Sequence, residues 1–476
     1  MKSVKVLSFL LAASVIAAGC SKFGDTNVNP NGATDPSTAA LLSGVEAGLG
    51  SYATQTREGL YSQYFSETQY TEVSNYALPR LDFDAVYSGA LFDLQNIIRY
   101  NTDADKLALS AKFGSANHQI AIARILKAYI FWTITDRWGD VPYFEALKGE
   151  EELTPAYDTQ EAIYKDLVKE LKEASDQFDG GSIATGDLLY RGVAASWKRL
   201  ANTLRMLISL RTSKVYPNPG EWAATEFANA YADSDGYISD STQNLTLFYP
   251  GTAAYRNPWY NLYLTRADFA QSKVMTDFMA AYNDPRQTSF GSSTIGFPYG
   301  LTRFDAVTFG ENNPTYSRIH PSAYRAAGAP VVVVSSAHVM LAVAEARQRG
   351  WIAGDVTEAY QKGISESWRQ WGAKGDINAY VGQANVSLAG GNALSKIHMQ
   401  QYFAFYPNGM QAWANWRRTG VPALVPSPNA SNPSKQIPRR FTYGSLAYSV
   451  NGENTNTAVG RLSGGDTPDT KVWWDK

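Results

Sequence analysis

The sequence predicts a mainly all-α protein, a scaffold of helical hairpins that carries an irregular, loop-rich layer. Three observations predict it. Apolar residues recur at three- and four-residue steps over about 117–213 and again over about 335–418, which stacks them on one face of successive helices. Between these halves, over about 216–334, the period fades into a stretch rich in Tyr, Asn, Gly, Pro and Ser. At 476 residues and 44% hydrophobic, the chain is long enough to bury a large core.

The first segment is of another kind. Lys2 and Lys5 precede an apolar run, Val6 to Ala18, that is too short to span a bilayer and ends in small residues before Cys20. That pattern reads as a secretory signal over 1–19. Ile16-Ala17-Ala18-Gly19-Cys20 resembles a bacterial lipobox, with Cys20 as the lipidated residue; an ordinary signal peptide with an incidental cysteine is the alternative. Cys20 is the one cysteine of the chain, which excludes an intramolecular disulfide and a cysteine-based metal cluster. No later run offers about 18 consecutive apolar residues, so the lipid is the expected anchor. Residues 20–36, rich in Asn, Asp, Gly and Pro, read as the lipidated cysteine and a flexible tether, and 37–476 as a single folded body.

Within that body, Ile122, Ile125, Tyr129 and Trp132 share one helix face. Asp158 three residues before Glu161 reads as a capping-box start, and Ile163, Leu167, Leu171, Ala174 and Phe178 form a stripe that Gly180-Gly181 ends. Val193, Trp197, Leu200, Leu204 and Leu207 form a third, with Lys198, Arg199, Arg205 and Arg211 on the remaining surface. Ser335-Ser336 opens a helix to about Arg349, and Asp355 with Glu358 opens another through Tyr360, Ile364 and Trp368. Recurring hairpins that cover one another are how tetratricopeptide-like arrays bury a face no single hairpin can bury. After Val425, Pro426, Pro428, Pro433 and Pro438 forbid continuous helix.

Charge and chemistry narrow the function. The net charge of −2, from 42 basic and 44 acidic residues, gives no field that would attract nucleic acid. His118, His320, His338 and His398 are scattered without ligand spacing, and no nucleophile, zinc-protease or phosphate-loop motif appears, so no catalytic residue, metal or cofactor is expected. A glycoside hydrolase built on a carboxylate pair such as Asp82 and Asp84 is a remote alternative, because sequence neighbours do not by themselves flank a bond. With 12 Trp, 29 Tyr and 20 Phe, rings are abundant enough that some are expected to face solvent or ligand.

The stretch Arg124–Leu147, RILKAYIFWTITDRWGDVPYFEAL, resembles the signature helix and turn of the SusD/RagB family. Pro155–Thr159, Trp197–Asn202 with Leu204-Arg205, Ala344–Ala346 with Arg349-Gly350, Trp413, Trp416–Pro422, Ile437–Arg440, Asn454 and Asn456, and Val472–Asp475 follow in that family's order. The Trp-Arg-Arg-Thr-Gly segment and the closing Trp-Trp-Asp resemble the branch called SusD-like group two. The resemblance implies tetratricopeptide-like helix pairs and a lipid-anchored protein of a Bacteroidota-type cell outer membrane. It also implies a non-enzymatic lid on a SusC-like TonB-dependent barrel, binding oligosaccharide or polysaccharide, or alternatively peptide. Ser21–Asp25 holds one acidic residue, so display on the outer surface rests on the resemblance.

Not every motif is a site. Trp138, Asp140, Pro142 and Tyr143 read as a turn that ends a helix. Arg417-Arg418 reads as a buried ion pair or helix C-terminal charge in preference to anion recognition. A glycan needs a flat ring beside donors and acceptors. Two loops have that mix: Tyr255, Arg256, Asn257, Trp259 and Tyr260 in one, and Tyr76, Arg80 and Asp82 in the other.

Overall fold

The computed structural model describes residues 37–77, 80–181 and 185–476. The signal at 1–19, Cys20, the tether to Pro36, and Leu78 and Pro79 of the candidate loop that holds Tyr76, Arg80 and Asp82 lie outside the described residues. The body runs from Thr38 to Lys476.

Its scaffold is helical. In chain order the longer helices are α1 (Thr38–Gly48), α2 (Phe92–Thr102), α3 (Ala116–Trp138), α4 (Gln160–Asp176), α5 (Ala194–Arg211), α6 (Trp222–Tyr231), α7 (Lys273–Ala281), α8 (Arg303–Asn312), α9 (Ser336–Gln348), α10 (Val356–Trp371), α11 (Ala393–Phe405), α12 (Gly409–Thr419) and α13 (Gly452–Gly460). Each of α2 to α5 packs on the next, α9 packs on α10 and α11, and α9 also touches α5, which joins the two halves. This is the paired-helix architecture the periodicity predicts. Among the described residues no helix is long and apolar enough to cross a membrane.

Strand structure is slight. Among the described residues, three two-stranded antiparallel ladders pair β1 (Phe65–Glu67) with β5 (Phe269–Gln271), β2 (Val141–Pro142) with β3 (Tyr157–Asp158), and β4 (Leu245–Leu247) with β6 (Val331–Val334). The first and third tie the loop-rich stretch to distant chain: Phe65 faces Gln271, and Leu247 faces Val331. That stretch also carries α6, α7 and α8. The first of these was hidden because its core face is mostly alanine, Ala223, Ala224 and Ala230 around Phe227, which gives little hydropathy contrast.

Two helices are more buried than a single stripe implies. In α3 almost every residue from His118 to Trp138 is buried, with Arg124 and Lys127 the partial exceptions, because α2, α4 and the chain's C-terminal segments enclose it. In α5, Arg205 and Arg211 are buried instead of surface-facing. Arg205 donates to Asn202 at 3.0 Å, and Arg211 donates to Gln411 at 2.6 Å and lies 3.5 Å from Asp136. The N-cap of α4 is Thr159, whose hydroxyl accepts from the Ala162 N–H; Asp158, read from sequence as part of a capping box, instead accepts from the N–H groups of Tyr143 and Phe144 at 3.0 and 2.8 Å. The caps at Ser335 and Asp355 are those the sequence predicts.

Among the described residues the apolar interior has three parts. The largest runs through the helical scaffold, and a second, built on Phe65, Tyr64, Trp259, Phe290, Tyr402 and Tyr406, joins the loop layer to α11. The third is small, Ala270, Phe297, Ala306 and Tyr316, under α8.

Candidate functional site

The most recognisable motifs converge on one another and not on a ligand. Trp138 Nε1 donates to the carbonyls of Leu81 and Thr442, and Arg440 donates to the Trp138 carbonyl at 2.9 Å. Asp140 holds Arg461 at 2.5 Å. Arg417 lies 3.8 Å over the Trp413 ring and donates to the Asp136 carbonyl at 2.8 Å, while Trp474 Nε1 donates to the Asp136 carboxylate at 3.0 Å. Burial pushes the Arg417 guanidinium down to about 9, with Asp136 and Asp475 opposing that shift. Arg418 forms a fork with Glu345 at 2.5 and 2.7 Å. Both arginines sit in the last turn of α12, where cations complement the helix dipole. The structural reading of these motifs holds.

The two candidate loops dock in different places. In the first, Tyr76 is fully buried and its hydroxyl accepts from the Ser427 N–H at 3.0 Å, so its ring has no face open to a sugar. Arg80 reaches Asp466 at 2.9 Å and lies over Tyr448 at 4.7 Å. Asp82 accepts from the Leu446 N–H at 3.0 Å. These residues fasten the loop to the C-terminal segment. Asp84 starts a three-residue helix, and burial raises its carboxyl.

In the second loop, Asn257 is fully buried, caps the 258–262 turn through the Trp259 N–H at 2.7 Å, and donates to the Ala329 carbonyl. Trp259 is 3% exposed and meets Phe65 edge-on at 5.5 Å. Tyr255 is exposed, and Arg256 lies over Tyr260 at 5.7 Å. Trp259 does border a cavity of about 330 Å³, walled also by His320, Tyr324, Val331–Val333, Trp371 and Tyr406.

A different concavity is open to solvent, with side chains of both charges along its wall. It encloses about 480 Å³ between the β1–β5 ladder and α8, lined by Gln69, Arg266, Asp268, Glu311, Tyr316 and Arg318 among others. Its floor is fixed by the ladder, which continues through the Thr68 N–H to the Asp268 carbonyl at 2.9 Å. Arg266 pairs with Asp268 at 2.8 Å and lies 5.2 Å over the ring of Tyr70, an exposed residue. Arg303, at the start of α8, lies 4.9 Å over the same ring, and its neighbour Phe304 is 78% exposed. Arg318 lies 4.0 Å over Tyr316. Beneath, the carboxyl of Glu67 is raised to about 7 by burial, with the Ser74 N–H and hydroxyl opposing.

Sequence reasoning missed this groove because its residues come from three separate stretches and are dominated by Arg, Asp and single Tyr or Phe. The signal that was available is the apolar outer face of α8, Phe304 and Val307, both exposed. Among the described residues no group of three or more His, Cys, Asp or Glu is placed to hold a metal ion.

Comparison with known proteins adds the following. A family model described as "Starch-binding associating with outer membrane" matches residues 30–444. A solved structure described as a chitin-binding protein is 28% identical, with 92% of this chain and 99% of that one covered and a TM-score of 0.77. A chitin-binding SusD homolog from Flavobacterium johnsoniae is 24% identical, covering 92% and 98%, with a TM-score of 0.78. A SusD homolog from Bacteroides uniformis is 24% identical, covering 93% and 100%, with a TM-score of 0.80. The last two likenesses show the fold. None of the curated proteins matches the chain.

Proposed function

The chain belongs to the SusD-like family of outer-membrane-associated nutrient-binding proteins, and on that premise we propose that it is a lipid-anchored glycan-capturing lid of a SusC-like TonB-dependent barrel. The observation that carries the reading is the open groove between the β1–β5 ladder and α8, with both signs of charge along its wall and the exposed rings of Tyr70 and Phe304 next to its lining residues Arg266 and Val307. Sugar rings offer apolar CH faces and many hydroxyls, which such a surface meets with ring faces, guanidinium donors and carboxylate acceptors. A rigid helical body holding that surface on an anchored tether suits a lid that carries cargo as it closes.

The cargo we favour is a polymer of N-acetylated sugar, supported by the chitin-binding description of the 28% identical relative. Cys20 is the proposed lipid site, and the closing Trp473-Trp474-Asp475 supports the group-two branch. The protein acts by binding, without turnover. Calorimetry of the full chain with soluble oligomers of N-acetylglucosamine, with maltooligosaccharides and with a peptide library tests the cargo. The expected result is saturable binding of the N-acetylated oligomers, weakened at least tenfold by Tyr70→Ala combined with Phe304→Ala. Saturable binding of peptides alone would replace the glycan reading with the peptide one.

A further inference from the structure

We propose that the walled cavity beside Trp259 is a second carbohydrate pocket that receives one terminal N-acetylated sugar unit. The proposal rests on the reading of the cargo given above and adds a site to it. At about 330 Å³ the cavity sits at the small end of the roughly 300–1,000 Å³ typical of ligand pockets, so it admits a single ring and no extended chain.

Its walls divide by chemistry. On one side His320 stacks on Trp371 with centroids 5.0 Å apart, and Trp259 meets His320 edge-on at 6.1 Å. On the other lie the valines of β6 and Pro407. Among the described residues, none of those lining the cavity is Asp, Glu, Lys or Arg. Its two histidines are held neutral: burial pushes His320 down to about 4, and burial with Arg211 and Arg418 behind it lowers His338 well below the ordinary range. A peptide terminus or a charged side chain finds no counter-charge there. A neutral ring does.

The polar groups left over include donors. The indole N–H of Trp371, a residue 7% exposed, is buried without a hydrogen-bond partner. Asn408 and Gln411 have their amide oxygens engaged, the first by the Gln411 N–H at 3.2 Å and the second by Arg211 at 2.6 Å, which leaves their NH₂ groups. A donor buried without a partner destabilises the fold, and an acceptor on a ligand relieves it. An acetamido group supplies a carbonyl acceptor and a methyl for the valine wall.

The test titrates the full chain with N-acetylglucosamine, and separately with glucose, followed by tryptophan fluorescence and calorimetry. Saturable binding of N-acetylglucosamine is expected, at least tenfold tighter than glucose. It should be abolished by Val332→Phe, which fills the cavity, and weakened about tenfold by Trp371→Phe, which removes the indole donor. Should Val332→Phe not fold, Ala323→Trp at the exposed rim blocks the mouth with the same expected loss. Absence of saturable N-acetylglucosamine binding, or binding unchanged in a folded blocked variant, overturns the pocket. If oligomers still bind the groove in that case, the cargo reading stands and only the cavity is lost; if neither site binds N-acetylated sugar, both fall.

Discussion

Glu345 accepts both terminal nitrogens of Arg418, and Gln401 at 2.9 Å, His398 at 3.1 Å and Arg349 at 2.9 Å crowd the same carboxylate. Burial alone would raise this carboxyl, yet Arg418 and His398 hold it well below the usual range. Removing one partner strands a buried charge, so Glu345→Gln is expected to cost about 3–5 kcal/mol, read from urea unfolding at pH 7. Glu67 shows the opposite sign. Its carboxyl titrates near 7 in the folded protein, so its contribution is fully present below the ordinary carboxylate value and is lost as pH rises through about 7. Glu67→Gln should therefore be more stable than the parent by about 2 kcal/mol at pH 8, with the gap closing near pH 4.5. His320, pushed down to about 4, contributes stability that is present above its unfolded value and lost as pH falls through about 4. The acid limb of a thermal-unfolding profile should accordingly flatten in His320→Gln.

At the scale of elements, the start of α4 separates two roles that the sequence joins in one motif. Thr159 caps the helix, while Asp158 secures the turn after α3 and lies on β3. Thr159→Ala should cost about 1 kcal/mol and speed amide exchange at Ala162. Asp158→Ala should instead speed exchange at Tyr143 and Phe144 and leave Ala162 as it was; faster exchange at all three in either variant would contradict the assignment. Helices of strong period, such as α4 and α10, were legible because one face alone is buried. Arg205 and Arg211 of α5 were not, since their burial depends on α6, α12 and Asp136, which no local pattern encodes.

For the whole molecule, the last residues close the fold. Trp474 and Asp475 are fully buried; the indole reaches Asp136, and Asp475 pairs with Arg439 at 2.6 Å and Lys214 at 2.9 Å. Four stretches far apart in sequence meet at this point, so the closure belongs to the cooperative core. Trp474→Ala is expected to cost about 3–5 kcal/mol, lowering the denaturant midpoint with little change in its slope.

The sequence by itself determined the helix-pair scaffold, the family, and the structural use of Trp138, Asp140, Arg417 and Arg418. The scaffold follows from local period, the family from the resemblance of motifs spread along the chain, and the use of those four residues from types whose burial demands a partner. The tertiary structure alone decided which rings are available. Trp259 is one of the candidates the sequence offers, yet Phe65 and His320, both distant in sequence, pack against it and make it a cavity wall. Tyr70 stays exposed beside the groove, under Arg266, where a three-residue ladder sets 65–67 against 269–271, and Phe304 stays exposed on the outer face of α8. Exposure of a side chain is set by whatever segment folds over it, and that segment lies beyond the reach of any window along the chain.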